Sequence, residues 1–209
     1  MYTLYGSKGS GSASAEMGLS AAGIDYRIVN AASWEPGPGL DELRTVNPLA
    51  QIPTLVLPDG SVISESAAIL IHLGLAAAPG VLLPKDEGAR AQAIRGLVYI
   101  PANCYSCITI LDYPERFTSR DDKETLDAIR AGTRARLHKH WDVFADTFKA
   151  SPFLNGATPG ALDFLAVVVS KWAGARAHLQ EHRPAFAELL QRIETHESVA
   201  PVFRAHWEK

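Results

Sequence analysis

The stretch NPLAQIPTLVLPDGSVISESAAILIHL, Asn47 to Leu73, sets a proline against the start of a strand and a polar pair against the start of a helix. Thr54 to Leu57 is a β-branched and aliphatic run that reads as a short buried strand. Pro53 cannot donate to a ladder, so it belongs at the strand's first position. A cis bond between Ile52 and Pro53 costs only about 0.5–1 kcal/mol. With that bond cis, the N–H and C=O of Ile52 turn outward and can pair with the backbone of a ligand peptide. Pro58-Asp59-Gly60 then closes a tight hairpin onto a second strand, Ser61 to Ile63. Ser64-Glu65-Ser66 precedes an apolar helix, whose first-turn N–H groups form a ready anion site. Glu65 can accept from an ammonium group, so one helix start can hold both charges of an α-amino acid end. The plainer alternative is an ordinary N-cap.

Bulk composition bounds the possibilities without choosing among them. The chain has 209 residues, 47% of them hydrophobic, which suits one large or two small domains with a real core. A formal net charge of −3 offers no basic surface for nucleic acid. No segment approaches roughly 18 uninterrupted apolar residues, and the N-terminus begins a strand at once, so neither a membrane span nor a signal segment is expected. A cytoplasmic location follows by default. Two cysteines give no disulfide framework and fit a reducing compartment.

Composition shifts once, at Ala77 to Lys85, where two prolines and a glycine interrupt helical periodicity. Residues 78–85 are therefore read as a linker between a domain over 1–77 and a domain over 86–209. The first shows strand Tyr2–Tyr5, helix Ala13–Ala22, strand Tyr26–Val29, a short helix near Leu40–Val46, the hairpin and the helix from Glu65. This βαβαββα order is an α/β thioredoxin-like pattern. The second is helical in period throughout, over Glu87–Leu111, Asp122–Lys149, Ala161–Ala177, Pro184–Thr195 and a tail near Pro201–Trp207. An all-α helical domain is expected there. Within it, Asp163 stands three residues after Gly160 and can serve as the far half of a capping box; glycine supplies no hydroxyl, so the cap is expected to be weaker.

The combination of NPLAQIPTL, a hairpin and ESAAI resembles the glutathione-binding half of the cytosolic glutathione S-transferases, in the manner of a bacterial, serine-type or atypical beta-like member. The resemblance covers both domains, with its specific motifs mainly in the first. It implies that Ile52, before Pro53, pairs with the cysteinyl backbone of reduced glutathione, and that Glu65 and Ser66 hold its γ-glutamyl end. Trp34 lies in the loop that serves the glycyl end, with Arg44 and Gln51 as donors for its carboxylate. The implied partners are glutathione, a small hydrophobic electrophile and a second copy of the chain in a homodimer. No metal is implied.

The chemistry is expected in GSKGSGSASAEM, Gly6 to Met17, between the first strand and helix. A thiol near a helix start, with a hydroxyl donating to it, is held as thiolate at neutral pH. Family members with a bacterial-type cysteine would place it at Gly11, so that nucleophile is absent. Ser12, at the expected N-cap, is the first candidate activator and Ser10 the second; the bland alternative is a flexible loop and a cap. Gly6, Gly9 and Gly11 do not have the spacing of a dinucleotide loop.

Cys104-Tyr105-Ser106-Cys107 is a CxxC in the helical half, more suited to packing than to redox chemistry. In the family the same helix lines the electrophile pocket. Tyr99, Asn103, Tyr105 and Cys107 are candidates on it, with Tyr5 at the end of the first strand and Arg116 in a turn, Asp112 to Phe117, that is able to cover the site. The seven histidines show no metal spacing. The expected activity is addition of the glutathione thiolate to an electrophile. Glutathione-dependent isomerisation or cleavage of ethers or halides, and glutathione binding without turnover, remain as alternatives.

Overall fold

A computed structural model describes residues 1–208. The first half runs β1 (Tyr2–Gly6), α1 (Ser12–Ala21), β2 (Tyr26–Asn30), α2 (Pro38–Val46), β3 (Thr54–Val56), β4 (Val62–Ser64) and α3 (Ser66–His72), the last continued by a π-helical turn over Leu73–Ala77. The sheet order is β2-β1-β3-β4. β1 lies parallel to β2, Tyr2 opposite Tyr26, and antiparallel to β3, Leu4 opposite Leu55. β3 and β4 form the hairpin, Leu55 opposite Ile63. Successive strand residues point to opposite faces. Leu4 and Leu55 therefore join Ala13, Met17, Ile69 and Leu70 of α1 and α3 in the main core, while Tyr5 turns to the other face and packs with Leu40 and Leu43 of α2.

The second half contains α4 (Glu87–Tyr99), α5 (Ser106–Asp112), α6 (Lys123–Thr147), α7 (Ala161–Val169), α8 (Ala175–His182), α9 (Pro184–Thr195) and α10 (Ala200–Trp207). Every residue of α7 is buried, and it packs against α1, α3, α4 and α9. One apolar core thus runs through both halves. The stretch between Ala77 and the Asp86 cap of α4 holds no strand or helix, yet it is pinned: Leu82 and Leu83 are buried, and the Leu82 carbonyl accepts the Ala161 N–H at 2.8 Å.

Two helices differ from the periodicity reading. The run Glu87–Leu111 is continuous but widens into a π turn at Ile100–Tyr105, which accommodates Pro101, a residue with no N–H to give the helix. The run from Glu87 to Asp112 is 26 residues long with mean hydropathy 1.2 in its most apolar window, enough by length and composition to cross a membrane. Here Leu97, Ile100 and Cys104 sit in the core. The run Ala161–Ala177 is two helices, broken where Ala173 (φ 57°) and Gly174 (φ 79°) turn left-handed. Arg176 of α8 then donates to the Val167 carbonyl at 2.8 Å, meeting a carbonyl at the end of α7.

Asp163 does more than cap. Its carboxylate accepts N–H groups from Leu154 (2.9 Å), Asn155 (3.0 Å) and Gly160 (3.0 Å). Burial raises this carboxyl and the three donors lower it, and the balance leaves it pushed up to about 7. The missing hydroxyl at residue 160 is thus offset by two amides from the preceding loop.

Candidate active site

The open end of the sheet and the helical half enclose a cleft of about 910 Å³. The sheet-side wall is built largely from backbone. The Ile52–Pro53 bond is cis, and among the described residues neither the N–H nor the C=O of Ile52 has a partner. The neighbouring carbonyl, that of Gln51, is instead occupied by the Thr54 hydroxyl at 2.7 Å and the Asn47 amide at 3.4 Å. Asn47 also donates to Thr54 Oγ1 at 2.9 Å, so a small polar knot fixes the bend that leaves Ile52 open.

Opposite Ile52, Glu65 enters α3 at φ 67° and ψ 114°, a conformation that costs a non-glycine residue on the order of 1–3 kcal/mol. Its side chain makes no cap bond. The N–H groups of Ser66, Ala67 and Ala68 have no partner among the described residues; the first helical bond is Ile69 N–H to Glu65. Free amides and an exposed carboxylate therefore share one helix start, the arrangement needed to take both charges of an amino-acid end. Gln51, Ile52, Pro53, Glu65, Ser66, Trp34 and Arg44 all line the cleft. Trp34 is 60% exposed at the rim, and Arg44 is engaged by Asp41 at 2.9 Å in solvent, a weak tie.

The two candidate serines separate. Helix α1 begins at Ser12 itself with Gly11 as cap residue, so Ser12 is not the N-cap. Its hydroxyl points back toward β1, 1% exposed, where it accepts the Ser7 N–H at 3.1 Å. Gly6 makes room for it, since a Cβ there would lie 2.6 Å from Ser12 Oγ. Ser10 lines the cleft, but its hydroxyl donates to the Ser7 carbonyl at 2.7 Å and touches Ser12 Oγ at 2.8 Å. The loop is tied down from the far end of the chain as well. The Gly9 N–H donates to His206 Nδ1 at 3.1 Å, which leaves the proton on Nε2 to meet Glu16 at 2.8 Å.

The helical wall corrects most of the electrophile-side expectations. Of Tyr5, Tyr99, Asn103, Tyr105, Cys107 and Arg116, only Tyr105 and Arg116 line the cleft. Tyr5 lies under α2, its hydroxyl donating to Glu42 at 2.7 Å, because its place on the pleat faces away. Tyr99 donates to the His140 carbonyl at 3.1 Å and packs on Phe144 and Phe148. Asn103 donates to the Tyr99 carbonyl at 3.0 Å, and Cys107 to the Asn103 carbonyl at 3.2 Å. Residues 99, 103 and 107 form the inward stripe of the α4–α5 run. The cleft stripe is Pro101, Tyr105, Ile108, Thr109 and Asp112. Burial raises both cysteine thiols, which keeps them protonated.

Trp172 and His206 escaped the sequence reading, and the pairing of Arg116 with Tyr113 refines it. Trp172, beyond the end of α7, stacks on Tyr105 with ring centres 5.6 Å apart. The Arg116 guanidinium covers the Tyr113 ring at 3.9 Å, forming a cleft wall within the turn expected to cover the site. His206 reaches the loop across 197 positions. Neither Trp172 nor His206 has a local signature; each depends on how the helices pack.

The family model for the glutathione S-transferase N-terminal domain matches residues 12–75. An uncharacterized GST-like protein of Escherichia coli K12, YncG, is 36% identical over 118 residues, a match spanning 56% of this chain and 57% of that protein. The glutathione S-transferase GstA of Escherichia coli O157:H7 is 27% identical over 206 residues, 94% of this chain and 96% of its own length. Among solved structures, a glutathione transferase homolog from Sulfitobacter with bound glutathione superposes with a TM-score of 0.80 at 21% identity, covering 97% of this chain and 96% of that one. With a sheet bearing an open peptide edge, a helix start facing it and an all-helical second half, the chain has the glutathione S-transferase fold, and its residues 12–75 match the N-terminal domain of that family.

Proposed function

We propose that this protein is a glutathione transferase that binds reduced glutathione along Ile52, holds its thiolate at the start of α1 and directs it onto a small electrophile against the helical wall. The observation that carries the reading is the pairing, across one cleft, of an unpartnered Ile52 peptide unit with the unpartnered amides and exposed carboxylate at the start of α3. The Ile52 edge supplies two backbone bonds. Ser66 and its neighbouring amides take the γ-glutamyl carboxylate, and Glu65 takes the ammonium. Trp34, Arg44 and Gln51 are left for the glycyl end. Catalysis is then the lowering of the thiol's pKa and its orientation, since the substrate supplies its own acceptor or leaving group.

A cytoplasmic place and a homodimer belong to the same reading. Both cysteines are free and buried, in keeping with a reducing compartment. Sedimentation of the purified protein tests the dimer. The central test is calorimetry with reduced glutathione, followed by an initial-rate assay with an aromatic halide acceptor. Heat of binding with turnover supports the reading; heat without turnover leaves a binding protein; no heat overturns it.

A further inference from the structure

We propose that Tyr105 of the helical half, acting with the Gly11 backbone amide, is the hydrogen-bond donor that holds the glutathione sulfur as thiolate, in place of the serines of the α1 loop. This deepens the reading above and rests on it. The first observation concerns available protons. Ser10 Oγ–H is spent on the Ser7 carbonyl at 2.7 Å. The Ser12 hydroxyl has the Ser7 carbonyl at 3.2 Å and Ser10 Oγ at 2.8 Å as its acceptors and does not reach the cleft. The loop serines form a closed set that shapes the loop. By contrast, the Gly11 N–H and the Tyr105 hydroxyl have no hydrogen-bond partner among the described residues, and both residues line the cleft.

The second observation is steric. The Tyr105 hydroxyl stands against Gly11 so closely that it occupies the space in which a side chain on residue 11 would begin, with ring carbons 3.3 and 3.4 Å from that position. Residue 11 and residue 105 are therefore exclusive: either a side chain projects from the start of α1 or a phenol arrives from the facing wall. Trp172 stacks on the Tyr105 ring and fixes its direction. A rigid phenol aimed at a helix start, beside one free amide, is a two-donor cradle for a single anion.

Burial, with Asp112 and Glu65 adding to it, pushes the Tyr105 phenol up to about 12, so it remains a proton donor across the working pH range. The chemistry balances simply. The thiol proton leaves to water, Tyr105 keeps its own proton and shares it in a hydrogen bond with the sulfur anion, and the sulfur electron pair forms the new bond to the electrophile as its leaving group departs.

Three variants of the full chain test this, each with glutathione calorimetry, the ultraviolet absorbance of bound thiolate against pH, and turnover. Tyr105→Phe should melt like the parent, bind glutathione with affinity within about twofold, and raise the pKa of the bound thiol by about one unit or more, with about a tenfold loss of kcat near neutrality. Gly11→Ala, which displaces the hydroxyl, should do the same, and the double variant should lose no more than either single one. An unchanged thiol pKa in Tyr105→Phe, with glutathione still bound and turned over, overturns the proposal and leaves the transferase reading intact. A fall in turnover with no change in thiolate absorbance also overturns it, placing the phenol on the electrophile instead. Failure of the parent protein to bind glutathione overturns both.

Discussion

The two walls of the cleft are made of different material. The sheet wall presents main-chain groups: the peptide unit at Ile52, the amides that open α3 and the amide of Gly11. The helical wall presents side chains, Tyr105 against Trp172 and Arg116 over Tyr113. A backbone-built wall recognises whatever shares its peptide geometry and tolerates change in side chains. A side-chain wall can be respecified by a few substitutions. On the proposed reading the same molecule carries a fixed cosubstrate seat and an adaptable electrophile seat, and the contrast can be broken by experiment.

The largest expected effect falls on the scaffold both walls share. Asp163→Ala leaves three N–H groups unpaired, one buried and two part-buried, and should cost about 3–5 kcal/mol in chemical denaturation. A loss under about 1 kcal/mol would mean that the buried carboxylate is not the tie it resembles. Next comes the sheet wall itself. Replacing Glu65 and Ser66 together with alanine should weaken glutathione binding by about 10–150-fold, as fits a charge-assisted bond worth about 1.5–3 kcal/mol; the KM for the electrophile should hardly move. If it moves as much, the two seats are not separable.

A smaller effect probes the helical wall. Tyr113→Ala removes the ring beneath Arg116 and should raise the electrophile KM by about threefold to tenfold, as fits a cation–π contact of about 0.5–2 kcal/mol, with glutathione affinity unchanged. Ser12→Ala should cost about 1–2 kcal/mol of stability by orphaning the Ser7 N–H, with kcat falling less than in Tyr105→Phe. A tenfold loss of turnover there would restore the serine as activator. Confined to alkaline solution is an effect with members in each half. Tyr26 and Tyr105 are both pushed up to about 12, from an ordinary 10. The folded state then holds protons that the unfolded chain releases, so stability declines as pH rises from about 10 to 12. A tyrosine titration at 295 nm, about where phenolate absorbs, should show late phenols in the folded protein, Tyr26 and Tyr105 the latest among them, and none in the unfolded one.

The same division explains what could be read beforehand. Pro53, the Pro58-Asp59-Gly60 turn and Ser64-Glu65-Ser66 act on the chain within a few residues of themselves, so local rules locate the backbone wall. Side-chain direction on the α4–α5 run depends on a π turn that rotates the stripe. The choice of Tyr99, Asn103 and Cys107 followed one face, and the cleft took the other, keeping only Tyr105. Ser12 was placed as a cap from its spacing, but the helix begins one residue earlier than that placement allows, which turns the hydroxyl toward β1. The break between α7 and α8 rests on the left-handed pair at Ala173 and Gly174, within a sequence whose composition remains helical. Trp172 and His206 reach the site only through tertiary packing.

The clasp between His206 and the Gly9 amide has an implication for biosynthesis. A ribosome delivers the loop of Ser7 to Gly11 nearly two hundred residues before the imidazole that steadies it. A nascent chain can raise its sheet first, but the Ser7 to Gly11 loop must wait for α10 before it is braced.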